Sequence, residues 1–162
     1  VKGRALLLIP VHYETLAVKR LRARLVEALK SLPEASSHRC ILDVVDLDPG
    51  TPQGRLHQLF SVVAPFVMGF SVHIPIGTKL PPDKFSGLRV RMIGTTGREV
   101  EQNPKPLAQF VKQVKSGRFR MVAYDVPTTE ASILAKRCGV DYVQGAGVAR
   151  YLPDLGPPFS IH

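Results

Sequence analysis

The feature of this sequence that most constrains its fold is a strand–helix–strand pattern in residues 121–144. An apolar run ends at a Tyr-Asp-Val-Pro turn, and apolar residues then recur at helical spacing. A turn at residues 138–139 leads to a second apolar run, at residues 140–143. The helix carries the chain back to the edge where the first strand began, so both strands run in the same direction. The pattern therefore predicts a parallel sheet covered by helices.

The rest of the chain repeats this alternation of strands and helices. Apolar runs predict four earlier strands, at residues 5–9, 40–47, 69–76 and 89–93. Amphipathic spacing predicts helices at residues 14–30 and 55–67 and a third that begins at Pro106, whereas residues 94–102 read as a polar loop. The alternation predicts about six parallel strands in a barrel or in a doubly wound sheet. No Gly-x-Gly-x-x-Gly follows the first strand, so dinucleotide binding has no support.

The length and composition are typical of one domain. The chain has 162 residues, of which 44% are hydrophobic, enough for a single packed core spanning residues 1–162 with a Pro-rich tail from about residue 152. No apolar run approaches the roughly 18 residues of a membrane span. The start lacks the pattern of a signal peptide, so we expect a cytoplasmic protein. The first residue is Val1, which suggests a piece of a longer chain.

The charge and the cysteines argue against several kinds of site. The net charge is +9, but the cations recur along the predicted helices without interleaved aromatic residues, which favours a solvated surface over a nucleic-acid site. Cys40 and Cys138 lie far apart and outside any metal-binding pattern. We expect two buried thiols in a reducing compartment.

Three motifs near the end of the chain carry a family resemblance. They read A-Y-D-V-P-T at residues 123–128, C-G-V-D-Y-V-Q-G at 138–145 and R-Y-L-P at 150–153. They resemble the A-E-G-V-E-T, G-C-D-x-x-Q-G and R-P-L-P motifs of the EAL domain, the family of bacterial cyclic di-GMP phosphodiesterases. Earlier segments resemble the family's other strands in order, but its first third is missing. The resemblance implies a partial TIM-like (β/α) barrel, with six of the usual eight units.

The resemblance also implies that the catalytic metal ligands are gone. In that family, carboxylates and an Asn hold the divalent cations that activate water. The positions that match the family's functional residues carry Pro10, Ile74, Pro75, Arg91, Ile93 and Tyr124. Asp43 alone remains, and Asp46 would point to the opposite face of a regular strand. Since one carboxylate does not hold a hard cation, we predict no metal, no cofactor, no catalytic residue and no enzyme activity.

A pocket could nevertheless persist where the ligands once were. Its candidate residues are Asp43, Arg91, Tyr124, Gln144 and Arg150, which we place at the carboxyl ends of strands, where barrel sites form. The histidines show no common spacing with Asp or Cys, so His12, His57 and His73 are interpreted as structural or surface groups.

Three hypotheses for the function follow. The first is a catalytically inactive EAL-like module that binds a protein partner in bacterial signalling or localisation. The second is a receptor that binds cyclic di-GMP without cleaving it. The third is an unrelated basic α/β enzyme or nucleic-acid-binding domain. Under the first, a barrel without two units exposes the edge strand that holds Leu6, Leu7 and Leu8, and we expect self-association, a preceding segment or a partner to cover it.

Overall fold

The computed structural model of the protein describes residues 6–79 and 84–149. Its strands are β1 (Leu7–His12), β2 (Cys40–Val45), β3 (Gly69–His73), β4 (Val90–Thr96), β5 (Arg120–Tyr124) and β6 (Tyr142–Val143). Its helices are α1 (Tyr13–Ala17), α2 (Lys19–Lys30), α3 (Glu34–Ser37), α4 (Gln53–Val63), α5 (Gly97–Gln102), α6 (Pro104–Ser116) and α7 (Thr129–Arg137), with a 3-10 turn at Ala64–Phe66. No helix in these residues is long and apolar enough to cross a membrane.

The six strands form one sheet in the order of the sequence, from β1 to β6. Every neighbouring pair is parallel. A doubly wound sheet would break this order, because its chain crosses over to extend the sheet in both directions. The prediction of a partial TIM-like barrel is therefore confirmed, and the doubly wound alternative is excluded.

The sheet curls into a half-barrel. Leu6 and Leu8, on the β1 side, line the same cleft as Tyr142 and Val143 of β6, and the cleft has a volume of about 320 Å³. Two opposite edges of a six-stranded sheet can share a cleft only if the sheet is strongly curved. Within the described residues, the outer edges of β1 and β6 pair with no further strand.

The two faces of the sheet differ in how much they bury. The face toward the helices holds most of the core, including Leu42, Val44 and Ile93, all fully buried. The inner, concave face holds a smaller cluster built around Ile41, Met92, Val122 and Tyr124. This division follows from the period of two along each strand, which sends alternate side chains to opposite faces.

Two predicted elements differ from the structure. The helix expected at residues 14–30 is interrupted at Val18, whose backbone is extended. The loop expected at residues 94–102 instead contains the end of β4 and helix α5. Thr96 and Glu99 form a capping box at the start of that helix, a Thr-x-x-Glu signal that is visible in the sequence. The predicted Pro-rich tail lies outside the described residues.

Both cysteines are free thiols, but only Cys40 is buried as expected. Cys40 is fully buried in the helix-facing core, and this burial raises the pKa of its thiol. Such a thiol stays protonated and unreactive at neutral pH. Cys138 is half-buried beside the same core.

Candidate functional site

The site lies on the inner face, at the carboxyl ends of the strands. Asp43 of β2 is 4% exposed, and its carboxylate accepts two hydrogen bonds. Tyr124 of β5 donates its hydroxyl to Oδ1 at 2.9 Å, and His73 of β3 donates Nε2–H to Oδ2 at 2.9 Å. A carboxylate that is buried this deeply is tolerated because both of its oxygens are bonded.

Tyr124 joins a fourth residue to this network. Its hydroxyl lies 2.9 Å from the Oγ of Ser71, which is fully buried. Since the phenol has one proton and donates it to Asp43, the Ser71 hydroxyl must be the donor in this second bond. Burial, and then the negative charge of Asp43, raise the pKa of Tyr124 far above its usual value. The phenol therefore stays neutral and remains a donor throughout the physiological pH range.

Gly94 of β4 makes this arrangement possible. The rings of His73 and Tyr124 stack with their centroids 4.6 Å apart, although β4 separates their strands. A Cβ at Gly94 would lie 2.4 Å from Cε2 of Tyr124 and 3.0 Å from Cδ2 of His73. The absence of a side chain at Gly94 lets the two rings meet above β4, so Tyr124 can reach across two strands to Asp43.

The side chains at this site do not match the ligands needed by the divalent cations of the phosphodiesterase mechanism. Mg²⁺ and Ca²⁺ take about six or more oxygen ligands. Opposite Asp43 in register stands Pro10, whose side chain offers none. The other neighbours of the carboxylate are the proton donors of His73 and Tyr124. Within residues 6–79 and 84–149, no three His, Cys, Asp or Glu side chains are grouped as a metal site.

The structure brings together only part of the predicted pocket. Asp43 and Tyr124 are in direct contact. Gln144 follows β6 and lines the apolar cleft beside Leu8 and Tyr142. Arg91 lies near the start of β4, where it bonds the carbonyl of Met68, so its predicted place at a carboxyl end is wrong. Arg150 lies outside the described residues.

A second position on β4 that the resemblance matched to a functional residue, Ile93, also lies away from the inner face. Ile93 packs in the helix-facing core, and the register between β3 and β4 shifts at Arg91. Met92 and Gly94 face inward instead. Neither residue can supply a charged ligand, so β4 adds no carboxylate to the inner face.

Sequence reasoning missed His73 and Ser71 as members of the site. Asp43 pairs in register with Ser71, and His73 follows two residues later on the same face. A signal for this contact was available only after the strand register had been assigned. A second histidine, His12, also pairs with an aspartate, since its Nδ1 lies 2.7 Å from Oδ2 of Asp46. That pair is exposed, in agreement with its interpretation as a surface group.

Comparison with solved structures identifies the class of fold. The chain is similar to the PaMucR phosphodiesterase in complex with c-di-GMP, with a TM-score of 0.71 and 14% identity over 90% of this chain and 61% of that one. It is similar to an EAL domain protein from Listeria monocytogenes, with a TM-score of 0.68 and 14% identity over 93% of this chain and 62% of that one. No protein-family model matches the sequence, and no curated protein matches it.

A third similar structure is the FimX EAL domain from Pseudomonas aeruginosa bound to c-di-GMP. Its TM-score is 0.63, with 17% identity over 88% of this chain and 61% of that one. The chain thus spans about three fifths of the length of these proteins and has the fold of an EAL domain that lacks part of its barrel. The resemblance drawn from the three motifs is confirmed at the level of the fold.

Proposed function

We propose that this protein is an EAL-like signalling module that does not hydrolyse cyclic di-GMP and acts by binding another protein chain. The observation that supports this proposal is the hydrogen bonding and burial of the Asp43 carboxylate. Both oxygens of its carboxylate are bonded, by Tyr124 and His73, within a buried network. A cation could bind there only after these bonds break, and the neighbouring positions would still offer too few oxygen ligands.

The direct test of lost catalysis is an assay of the purified protein with cyclic di-GMP and either Mg²⁺ or Mn²⁺. We expect the nucleotide to remain intact, because no set of ligands is present to activate water. An active EAL phosphodiesterase assayed in parallel controls for the reagents. Turnover above the rate without enzyme would contradict the proposal.

A non-hydrolysing receptor for cyclic di-GMP is a second candidate, and one observation favours it. Tyr142 is 45% exposed and stands beside Gln144 in the inner cleft. An exposed aromatic face can stack on a base, and an amide can bond to its edge. Calorimetric titration separates the two candidates, since binding heat at micromolar nucleotide supports the receptor and its absence supports the protein-binding module.

The surface that we propose for protein binding is the outer edge of β1. Leu6 and Leu8 lie on its inner face, and Leu7, 40% exposed, lies on the face toward the helices. Unpaired N–H and C=O groups along an apolar strand are a template for a strand of another chain. A second copy of this chain offers the same edge, so self-association is the form of the proposal that can be tested with the protein alone.

Sedimentation equilibrium of the wild type and the Leu7→Lys variant tests this edge. We expect the wild type to self-associate and the variant to dissociate more readily, because a lysine charge at a strand edge opposes pairing with another chain. Lys112→Glu, on the exposed outer side of α6, is a charge-changing control away from this edge and should associate like the wild type. A wild type that stays monomeric at high concentration would rule out self-association through β1.

A further inference from the structure

A groove with exposed cations lies at the amino end of the strands, opposite the Asp43 network. It has a volume of about 290 Å³ and runs between the segment before β3 and the first residues of β4. Arg89, Arg91 and His38 are among the residues that line it. All three side chains are exposed.

The arginines of this groove are held in place by backbone carbonyls. Arg91 donates Nε–H to the carbonyl of Met68 at 3.0 Å. Arg89 donates to the same carbonyl at 3.2 Å and to that of Ala64 at 2.6 Å. A guanidinium has five N–H groups, so Arg91 keeps four and Arg89 three for other acceptors. Because their positions are already fixed, less side-chain entropy would be lost when they bind a carboxylate.

The charge around the groove is predominantly positive. Lys30 lies over the ring of Phe66, with its Nζ 5.4 Å from the centroid, and Arg39 is exposed just before β2. No carboxylate is among the described residues that line the groove. Glu34 approaches its rim, 3.6 Å from Nε2 of His38, as an exposed pair that contributes little. The local potential therefore attracts anions.

The groove also has an apolar part, which we call its floor. It is formed by Pro65, Phe66, Val67 and Met68, which precede β3. A floor of this kind with fixed arginines at one side matches the anatomy of a protein interface, which combines an apolar centre with a polar rim. Nucleic acid fits less well, because Lys30 covers the Phe66 ring on which a base would have to stack.

We propose that this groove binds an acidic segment of a partner protein. The carboxylates of that segment would bind Arg91 and Arg89, and one of its apolar side chains would pack on the floor. Arg91 can form two parallel N–H···O bonds with a carboxylate, the geometry that makes arginine selective for such groups. The proposal is independent of cyclic di-GMP, since the groove and the Asp43 network lie at opposite ends of the strands.

Fluorescence anisotropy tests the proposal with a labelled peptide of Asp and Glu residues around a central Leu. We expect saturable binding by the wild-type protein, and binding about tenfold weaker for Arg91→Glu, since a reversed charge turns attraction into repulsion. His38→Glu, at another residue that lines the groove, should also weaken binding. Lys112→Glu makes the same charge change as Arg91→Glu on an outer helix and should bind like the wild type.

Three results would overturn the proposal. The first is equal loss of affinity in Arg91→Glu and Lys112→Glu, which would mean that only net charge matters. The second is equal binding of a peptide with Asn and Gln in place of Asp and Glu. The third is tighter binding of a single-stranded DNA of matched charge, which would favour nucleic acid. Circular dichroism of each variant confirms that it is folded.

Discussion

The two ends of the sheet differ in what their polar groups are bonded to. At the carboxyl end, Asp43, Ser71, His73 and Tyr124 are bonded to one another and largely buried. At the amino end, the arginines near β4 bond backbone carbonyls and keep most of their donors exposed to water. Barrel enzymes carry their chemistry at the carboxyl end. In this protein that end holds a buried network, whereas the arginines at the other end keep N–H donors free for the binding that we propose.

The largest expected effect comes from removing the acceptor at the centre of the network. Asp43→Ala should lower the free energy of unfolding by about 3 kcal/mol, because the buried donors of Tyr124 and His73 lose their partner. Urea unfolding followed by circular dichroism measures this. Asp46→Asn removes the charge of an exposed pair with His12, keeps a side chain that tolerates the positive φ of residue 46, and should cost less than about 1 kcal/mol. Similar losses in the two variants would contradict the distinction between a buried network and a surface pair.

The next largest effect on stability is expected at Gly94, where the absence of a side chain leaves room for the two stacked rings. Gly94→Ala should destabilise the protein by about 2 kcal/mol, because the new methyl group would overlap the Tyr124 ring. Thermal unfolding provides the measurement. Gly54→Ala is the control, since Gly54 lies in α4 with nothing within 4 Å of the added Cβ, and it should stabilise the helix slightly. A neutral Gly94→Ala would mean that the ring stack can move aside without cost.

Alkaline pH should expose the role of the Tyr124 phenol. The pKa of this phenol is raised in the folded state. Its contribution to the free energy of unfolding is therefore complete below the pKa of an unfolded tyrosine, about 10, and falls as the pH rises above that value. In that range we expect a loss of about 1.4 kcal/mol per pH unit from this group. Tyr124→Phe should cost about 1–2 kcal/mol at neutral pH and remove this part of the alkaline loss. Tyr142→Phe, at an exposed ring, is the control and should leave the stability at neutral pH almost unchanged.

The smallest change in stability is expected at the amino end. Arg91→Glu should shift the free energy of unfolding by no more than about 0.5 kcal/mol, because the side chain is exposed and bonds one carbonyl. The same variant should give the largest change in peptide binding. A strongly destabilised Arg91→Glu would show that this arginine, like Asp43, mainly supports the fold.

Much of the architecture could be read from local patterns. Short apolar runs that alternate with amphipathic segments predict a parallel sheet, since only a crossover helix returns the chain to the same edge. The motifs at residues 123–128 and 138–145 indicated which barrel it would resemble. Element ends were less certain, and the helix α5 was missed because its Thr96–Glu99 capping signal lies within a segment that is polar overall.

What the sequence by itself indicated was the alternation of elements and a family resemblance. In that resemblance Pro10 and Tyr124 stand at the family's Asn and Glu positions, and Asp43 remains. Only the tertiary structure decided where these residues point. Arg91 is an example, because it lies near the start of β4, where the register with β3 shifts, and not at the carboxyl end where we had placed it. The bond from Tyr124 to Asp43 joins residues 81 positions apart and depends on the gap at Gly94. No local pattern encodes such a contact, because it exists only after the intervening strands have paired in register.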